Sequence, residues 1–259
     1  MDLHLKDKVA VVTGASKGIG LAITQALAAE GVKVVAGARG TIGEEPAGDN
    51  VYPVSVDLAT ADGPGFLVEA AVQTFGVIDI LVNNVGAAHP RPEGFLSITD
   101  EDWLSALSLN FLAAVRTTRA VLPHLLRQGR GCVVSVNSVN AFLPDPLVMD
   151  YCAAKGALAN FSKALSREVG RHHIRVNTVS PGPVSTDLWL GDHGVAQTMA
   201  RAGAGSADAV AAQAAAGMVT GRFTRPDEVA DLVLLLASDR TSNVTGADFV
   251  IDGGLITTL

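Results

Sequence analysis

The sequence predicts an α/β fold: one doubly wound parallel sheet of about seven strands with helices on both faces. Three observations carry that expectation. Short β-branched runs alternate with helical stretches along nearly the whole chain. The first strand passes into the first helix through a glycine cluster, Gly14, Gly18 and Gly20. No repeat, linker or change of composition divides the 259 residues, so residues 1–259 read as one domain, and 48% hydrophobic content supplies an ample core.

The elements follow in order. Residues 8–14, "KVAVVTG", read as a strand, and 19–31 as a helix closed by Gly31. Strands are expected at 33–38 and 51–56, a helix at 65–76 and a strand at 78–84. "TDEDW" (99–103) opens a long helix, with Thr99 as N-cap and Asp102 at the third helical position in a capping-box pattern. Pro123 inside that helix should kink or end its last turns. A strand at 131–138, a helix from about 150 to 170 and a strand at 174–180 come next. Residues 182–221, rich in Gly and Ala, read as an irregular flap over the substrate, at about 183–222. A helix over 224–238, with Thr224 as cap and Pro226 in its first turn, and a strand within 246–254 complete the chain. Strands alternating with helices imply right-handed crossovers, hence a parallel sheet covered on both faces.

Composition excludes several classes. The net charge of −7 argues against sequence-independent nucleic-acid binding, which needs a basic face. No apolar run approaches the roughly 18 residues that span a bilayer, and the start lacks a signal-peptide core, so a cytoplasmic location is expected. Cys132 and Cys152 are too few for a disulfide framework or a thiolate metal cluster, and no metal is expected. His172 and His173 stand at a helix end, where favourable charge or solvation accounts for them.

The glycine cluster offers a phosphate site. Glycines permit a tight turn and close backbone approach, and the following helix N-terminus presents free N–H groups to a pyrophosphate. The spacing is G-x3-G-x-G, not G-x-G-x-x-G. An NAD site places a carboxylate near the end of the second strand; here that position is Ala38, followed by Arg39. A 2′-phosphate would be repelled by a carboxylate, whereas Arg39 can grip it with two parallel hydrogen bonds and Lys17 can add charge from the loop. NADP(H) is therefore expected over NAD(H), which remains the alternative.

One more pair stands out. Tyr151 is one of two tyrosines, and Lys155 lies one helical turn later on the same ridge. Together with "TGASKGIG" (13–20), "NNVG" (83–86), Asn110, Ser138 and "PGPVST" (181–186), "YCAAK" (151–155) resembles the classical short-chain dehydrogenase/reductase family in order and spacing. Ser138 lies 13 residues before Tyr151, as that pattern requires. The resemblance runs from Lys8 to the "DGG" at 252–254.

It implies a Rossmann fold and a set of roles. Tyr151 would be the acid/base, Lys155 would lower its pKa and hold the nicotinamide ribose, and Ser138 would hydrogen-bond the substrate oxygen. Asn110 would anchor a water linking Lys155 to solvent. Gly14, Ser16, Lys17, Gly18, Ile19 and Gly20 would cradle the phosphates, Asp57 and Leu58 would line the adenine pocket, and Asn83 and Gly86 the cofactor cleft. Pro181, Gly182, Val184 and Thr186 would close over the nicotinamide. Two departures are mild: Val85 replaces the usual alanine and is expected to narrow the cleft, and Asn137 replaces a small hydroxyl beside the site. The family is often tetrameric, so a homotetramer or homodimer is expected, with the small residues along the 151–165 helix permitting close packing between subunits.

The pair makes chemical sense. Adding hydride to a carbonyl leaves an oxygen that needs a proton, and the reverse reaction needs a base. A free phenol, with pKa about 10, is a poor base near neutrality; an ammonium about 4–6 Å away favours the phenolate. The chain is thus expected to interconvert a ketone or aldehyde with an alcohol. An NAD-dependent alcohol dehydrogenase of the same family, or a non-catalytic NADP(H) sensor, are the alternatives; a sensor would be expected to lack the tyrosine or lysine. Specificity should lie in 87–98, 139–148 and 183–222. There Asn140, Leu143, Leu188 and Trp189 are candidate pocket residues, which suit an apolar or cyclic small-molecule carbonyl. Trp103 reads as core packing, and His89 as a loop residue near the cleft mouth.

Overall fold

The first strand explains the layering. In Val9–Thr13 (β1) all five residues are buried, and their side chains alternate between faces: Ala10 and Val12 enter one core, Val11 the other. The computed structural model describes residues 1–40 and 50–258. Helix α1 (Gly18–Ala29) follows β1, then β2 (Lys33–Ala38), β3 (Val51–Ser55), α2 (Gly63–Phe75) and β4 (Ile80–Asn83). Next come α3 (Asp100–Leu107), α4 (Ala113–Gln128), β5 (Gly131–Val136), α5 (Met149–Val169) and β6 (Ile174–Pro181). Short helices α6 (Asp187–Leu190), α7 (Val195–Arg201) and α8 (Ala207–Ala216) precede α9 (Pro226–Ala237) and β7 (Asp248–Ile251).

Among the described residues all seven strands are parallel, in the order β3-β2-β1-β4-β5-β6-β7. The order reverses between β1 and β4, and the carboxyl ends of those two strands open the crevice where doubly wound sheets bind ligands. One core, with Ile23, Leu27, Val229 and Val233, lies under α1 and α9. The other, with Leu67, Val121, Leu125 and Leu165, lies under α2, α4 and α5.

Local signals hold at α3, where Thr99 Oγ1 accepts from Asp102 N–H and the Asp102 carboxylate accepts from Thr99 N–H at 3.0 Å. Three expectations need correction. Pro123 does not end its helix: α4 continues to Gln128, where Gly129 closes it at φ 65°. Pro123 is on the solvent face, so the carbonyl it leaves unbonded meets water, while Val121 and Leu125 keep the buried face packed. The 182–221 region is not irregular: it folds as α6, α7 and α8; the alanines of α7 and α8 are strong helix formers, and Ser206 caps α8 by accepting from Ala209 N–H. The cap of α9 is Arg225, one residue later than expected; its N–H donates to Glu228 Oε2 at 2.8 Å.

Candidate active site

The β1–α1 turn forms the floor of a cavity of about 400 Å3. Gly14 and Gly18 stand at φ +68° and +54°, in the left-handed region that favours glycine. A Cβ on Gly20 would meet the Gly14 carbonyl oxygen at 2.1 Å, so helix and turn pack with no room for a side chain. Among the described residues no side chain caps α1 and no acidic residue occupies its first turn, which leaves its N–H groups and positive end toward the cavity. An uncapped helix end over a glycine floor fits a dinucleotide pyrophosphate. Ser16, Lys17 and Ile19 line the same cavity, as do Arg39, Asp57, Leu58, Gly86 and Thr186. Lys17 Nζ lies 3.7 Å from Asp187 of α6, an exposed pair that contributes little stability. Asp57 Oδ1 accepts from Ala59 N–H at 3.0 Å, a local turn that fixes its carboxylate.

Asn83, expected in the cleft, is turned away from it. It is buried and donates to Thr118 Oγ1 at 3.0 Å, beneath the sheet. Its neighbour Asn84 lines the cavity instead; its Nδ2 donates to the Thr13 and Gly14 carbonyls at 3.0 and 3.1 Å. The repeated asparagine in "NNVG" carried that signal, because successive strand residues face opposite sides.

Tyr151 and Lys155 share one face of α5, with the Lys155 ammonium 5.6 Å from the phenol ring centroid. Lys155 is buried and donates to the Val136 carbonyl at 2.8 Å. Burial pushes the Tyr151 phenol up to about 12, against the pull of the neighbouring Ser138 hydroxyl. Desolvation of the phenolate sets this direction, while the Lys155 ammonium is engaged with the Val136 carbonyl. Burial lowers Lys155 to about 8, so it is still mostly a cation at neutral pH. Ser138 Oγ accepts from Asn140 N–H at 3.1 Å and donates to Asn140 Oδ1 at 3.2 Å.

Asn110 lines neither this cavity nor the next. It lies in a π-type insert, Ser108–Leu112, where the Ala113 N–H reaches back five residues to Ser108. Its Nδ2 donates to the Ala87 and Ala106 carbonyls, both at 3.0 Å, and its Oδ1 accepts from Ala87 N–H at 3.0 Å. The amide thus clasps the Gly86–Ala87 turn. A Cβ on Gly86 would lie 2.7 Å from Asn110 Oδ1, so only glycine lets the amide approach this closely; Lys155 Nζ, at 3.7 Å, would be in ordinary contact.

A second cavity, about 730 Å3, adjoins the first. Ser138, Asn140, Leu143, Leu188 and Trp189 line it, and so do Pro181, Gly182 and Val184, which are thus on this side rather than on the glycine-floored side. Tyr151, Thr186, Leu188, Ile19 and Asn137 face both cavities. Leu147, Val195 and Met199 complete an apolar wall. Trp189 packs edge-on against Phe223, with ring centroids 5.3 Å apart. His89 is exposed and lines neither cavity, and Trp103 is half-buried rather than a core residue.

The family model described as short chain dehydrogenase matches residues 8–192. D-threitol dehydrogenase of Mycolicibacterium smegmatis is 36% identical over 264 residues, covering 98% of this chain and 94% of the relative. The crystal structure of L-sorbose reductase from Gluconobacter frateurii, complexed with NADPH and L-sorbose, superposes with a TM-score of 0.92 at 34% identity over all of both chains. That of 3-ketoacyl-(acyl-carrier-protein) reductase from Brucella melitensis, complexed with NADH, has a TM-score of 0.85 at 28% identity, covering 97% of this chain and 99% of the other. Fold and matches together define an oxidoreductase. Within that class, the chain belongs to the short-chain dehydrogenase family, and carbonyl or alcohol chemistry with a nicotinamide cofactor fits that membership.

Proposed function

We propose that the protein is an NADP(H)-dependent oxidoreductase that interconverts a ketone or aldehyde with an alcohol, using Tyr151 as acid/base. One observation carries the reading: Tyr151 stands in the wall common to the two cavities, with Lys155 on the glycine-floored side and Ser138 on the apolar side. The same residues fit the cofactor, because the glycine turn and uncapped α1 suit a pyrophosphate, while Ala38 and Arg39 suit a 2′-phosphate better than a 2′-hydroxyl. When bound, the nicotinamide supplies or accepts the hydride and, oxidised, brings positive charge that favours the phenolate. A phenol held at about 12 keeps its proton at neutral pH, so Tyr151 is set to donate to a carbonyl oxygen during reduction. Ser138, rotating from Asn140, gives that oxygen a second donor. Lys155 keeps a cation beneath the phenol, and Asn110 holds the Gly86–Ala87 turn against it.

The apolar wall supports a bulky or cyclic carbonyl substrate. Small residues on α5 support pairing of subunits along that helix as a dimer or tetramer, which light scattering would measure. The function is tested by NADPH and NADH consumption against ketones, aldehydes and quinones. NADPH should be preferred, and Arg39→Ala should cut that preference by about tenfold, as loss of one charge-assisted phosphate contact implies. Faster turnover with NADH, or a Tyr151→Phe variant as active as the native protein, would refute the proposal. Turnover of polyols or sugar acids alone would remove the apolar substrate.

A further inference from the structure

Arg91 ties together three segments that bound the apolar cavity, yet does not itself line it. Its Nη2 lies 3.0 Å from Asp150 Oδ2 and 3.0 Å from Asp102 Oδ1. Its own N–H donates to the Leu147 carbonyl at 2.7 Å. Asp150 is the residue before Tyr151, its side chain is 3% exposed, and its Oδ1 accepts from the Tyr151 N–H at 2.9 Å. Asp102 caps α3 through Thr99. Ala88 and Pro90 line the cavity, and so do Leu147 and Val148. Arg91 therefore joins these two stretches through its backbone, and joins both to the first turn of the catalytic helix through its guanidinium.

We infer that the Arg91 side chain is a positioning residue for the carbonyl substrate: its guanidinium fixes the 88–91 loop against the first turn of α5, and with it the entry of Tyr151 into the cavity. Burying a guanidinium against two carboxylates yields little net stability, because desolvation offsets the attraction, so a gain in geometry is the better account of the network. Both carboxylates meet the same nitrogen, Nη2, held in the plane of a rigid guanidinium; a lysine ammonium keeps the charge and the backbone tie to Leu147 but not that fixed geometry. Arg91 and its direct partners Asp102, Leu147 and Asp150 do not line the glycine-floored cavity, which the network touches at Tyr151, the residue facing both cavities. Loss of Arg91 should then weaken use of the carbonyl substrate without weakening the cofactor.

This inference rests on the function proposed above, and the experiment separates the two. Arg91→Met and Arg91→Lys are compared with the native protein in three measurements: NADPH affinity by fluorescence, KM and kcat for whichever carbonyl the native protein reduces, and backbone hydrogen exchange. Expected for Arg91→Met are an NADPH Kd within twofold of native, a carbonyl KM raised at least tenfold with a smaller change in kcat, and faster exchange in 87–98 and 144–150 but not in 14–20. Arg91→Lys should recover part of the KM. If the native protein turns over no carbonyl, the proposed function fails, and the exchange pattern still decides whether Arg91 holds these segments. An unchanged KM in a folded variant, a KM and NADPH Kd that rise together, or exchange accelerated everywhere would overturn the assignment. If Arg91→Met does not fold, Arg91→Lys decides by the same criteria, with a threefold rise in KM as the threshold.

Discussion

The phenol of Tyr151 can be titrated directly, because the chain has two tyrosines and the other, Tyr52, is replaceable by phenylalanine at the sheet edge. Tyr151 is pushed up to about 12 by burial, against about 10 for a free phenol. Two pH units correspond to about 3 kcal/mol of preference for the neutral form. At pH 11 about a tenth of such a phenol is ionised, whereas an unperturbed one is about nine-tenths ionised. The assay is absorbance near 295 nm of the Tyr52→Phe variant, with circular dichroism confirming the fold at each pH. The sign follows from the raised value. The folded state holds its proton where the unfolded chain releases it, so the stability tied to this group is complete below pH 10 and is lost between about 10 and 12. Removing the hydroxyl in Ser138→Ala should move the midpoint higher, since that group pulls it down. Near-complete ionisation at pH 11 in the folded Tyr52→Phe protein would refute the argument, and with it the picture of a desolvated proton donor.

Lys155, lowered to about 8 by burial, should make the native protein less stable than Lys155→Met at neutral pH. That deficit, about 3 kcal/mol, should shrink as pH rises from about 8 to 10.5, where the unfolded chain also loses the proton; urea unfolding at pH 7 and 10 measures it. Gly20→Ala should abolish cofactor binding or folding altogether, because its Cβ would overlap the Gly14 carbonyl; a soluble variant with native NADPH affinity would contradict this. Asn84→Ala should cost about 1–3 kcal/mol by leaving the Thr13 and Gly14 carbonyls without their donor, and should raise the Kd for NADPH. Equilibrium unfolding together with fluorescence titration checks both effects.

Much of the fold was legible because its elements obey local rules. β1, β2 and β5 are short β-branched runs, and α3 begins at a capping box written in four residues. The less legible parts depend on interactions that sequence spacing does not encode. The π-type insert at 108–112 changes helical periodicity by one residue, and nothing in "SLNFL" announces it. Its consequence is the aim of Asn110, which clasps the Gly86–Ala87 turn. The helices of the 182–221 region were hidden by glycines that act as stops between short helices rather than as a flexible chain. Asn83 and Asn84 are adjacent and chemically identical, so only the pleat of β4 separates core from cavity. For Tyr151, a lysine one turn away is visible in sequence, whereas the depth of burial that pushes its phenol up is not.

The apolar side chains of the second cavity come largely from loops and from α6, α7 and α8, whereas the proton-handling residues that also reach it stand on α5 and just past the end of β5. Scaffold and selectivity are therefore written on separate stretches of polypeptide. Exchanging side chains such as Leu188, Val195 and Met199 can retune which molecules are accepted while the sheet and its reactive cluster keep their positions, so divergence in diet need not reopen the folding problem.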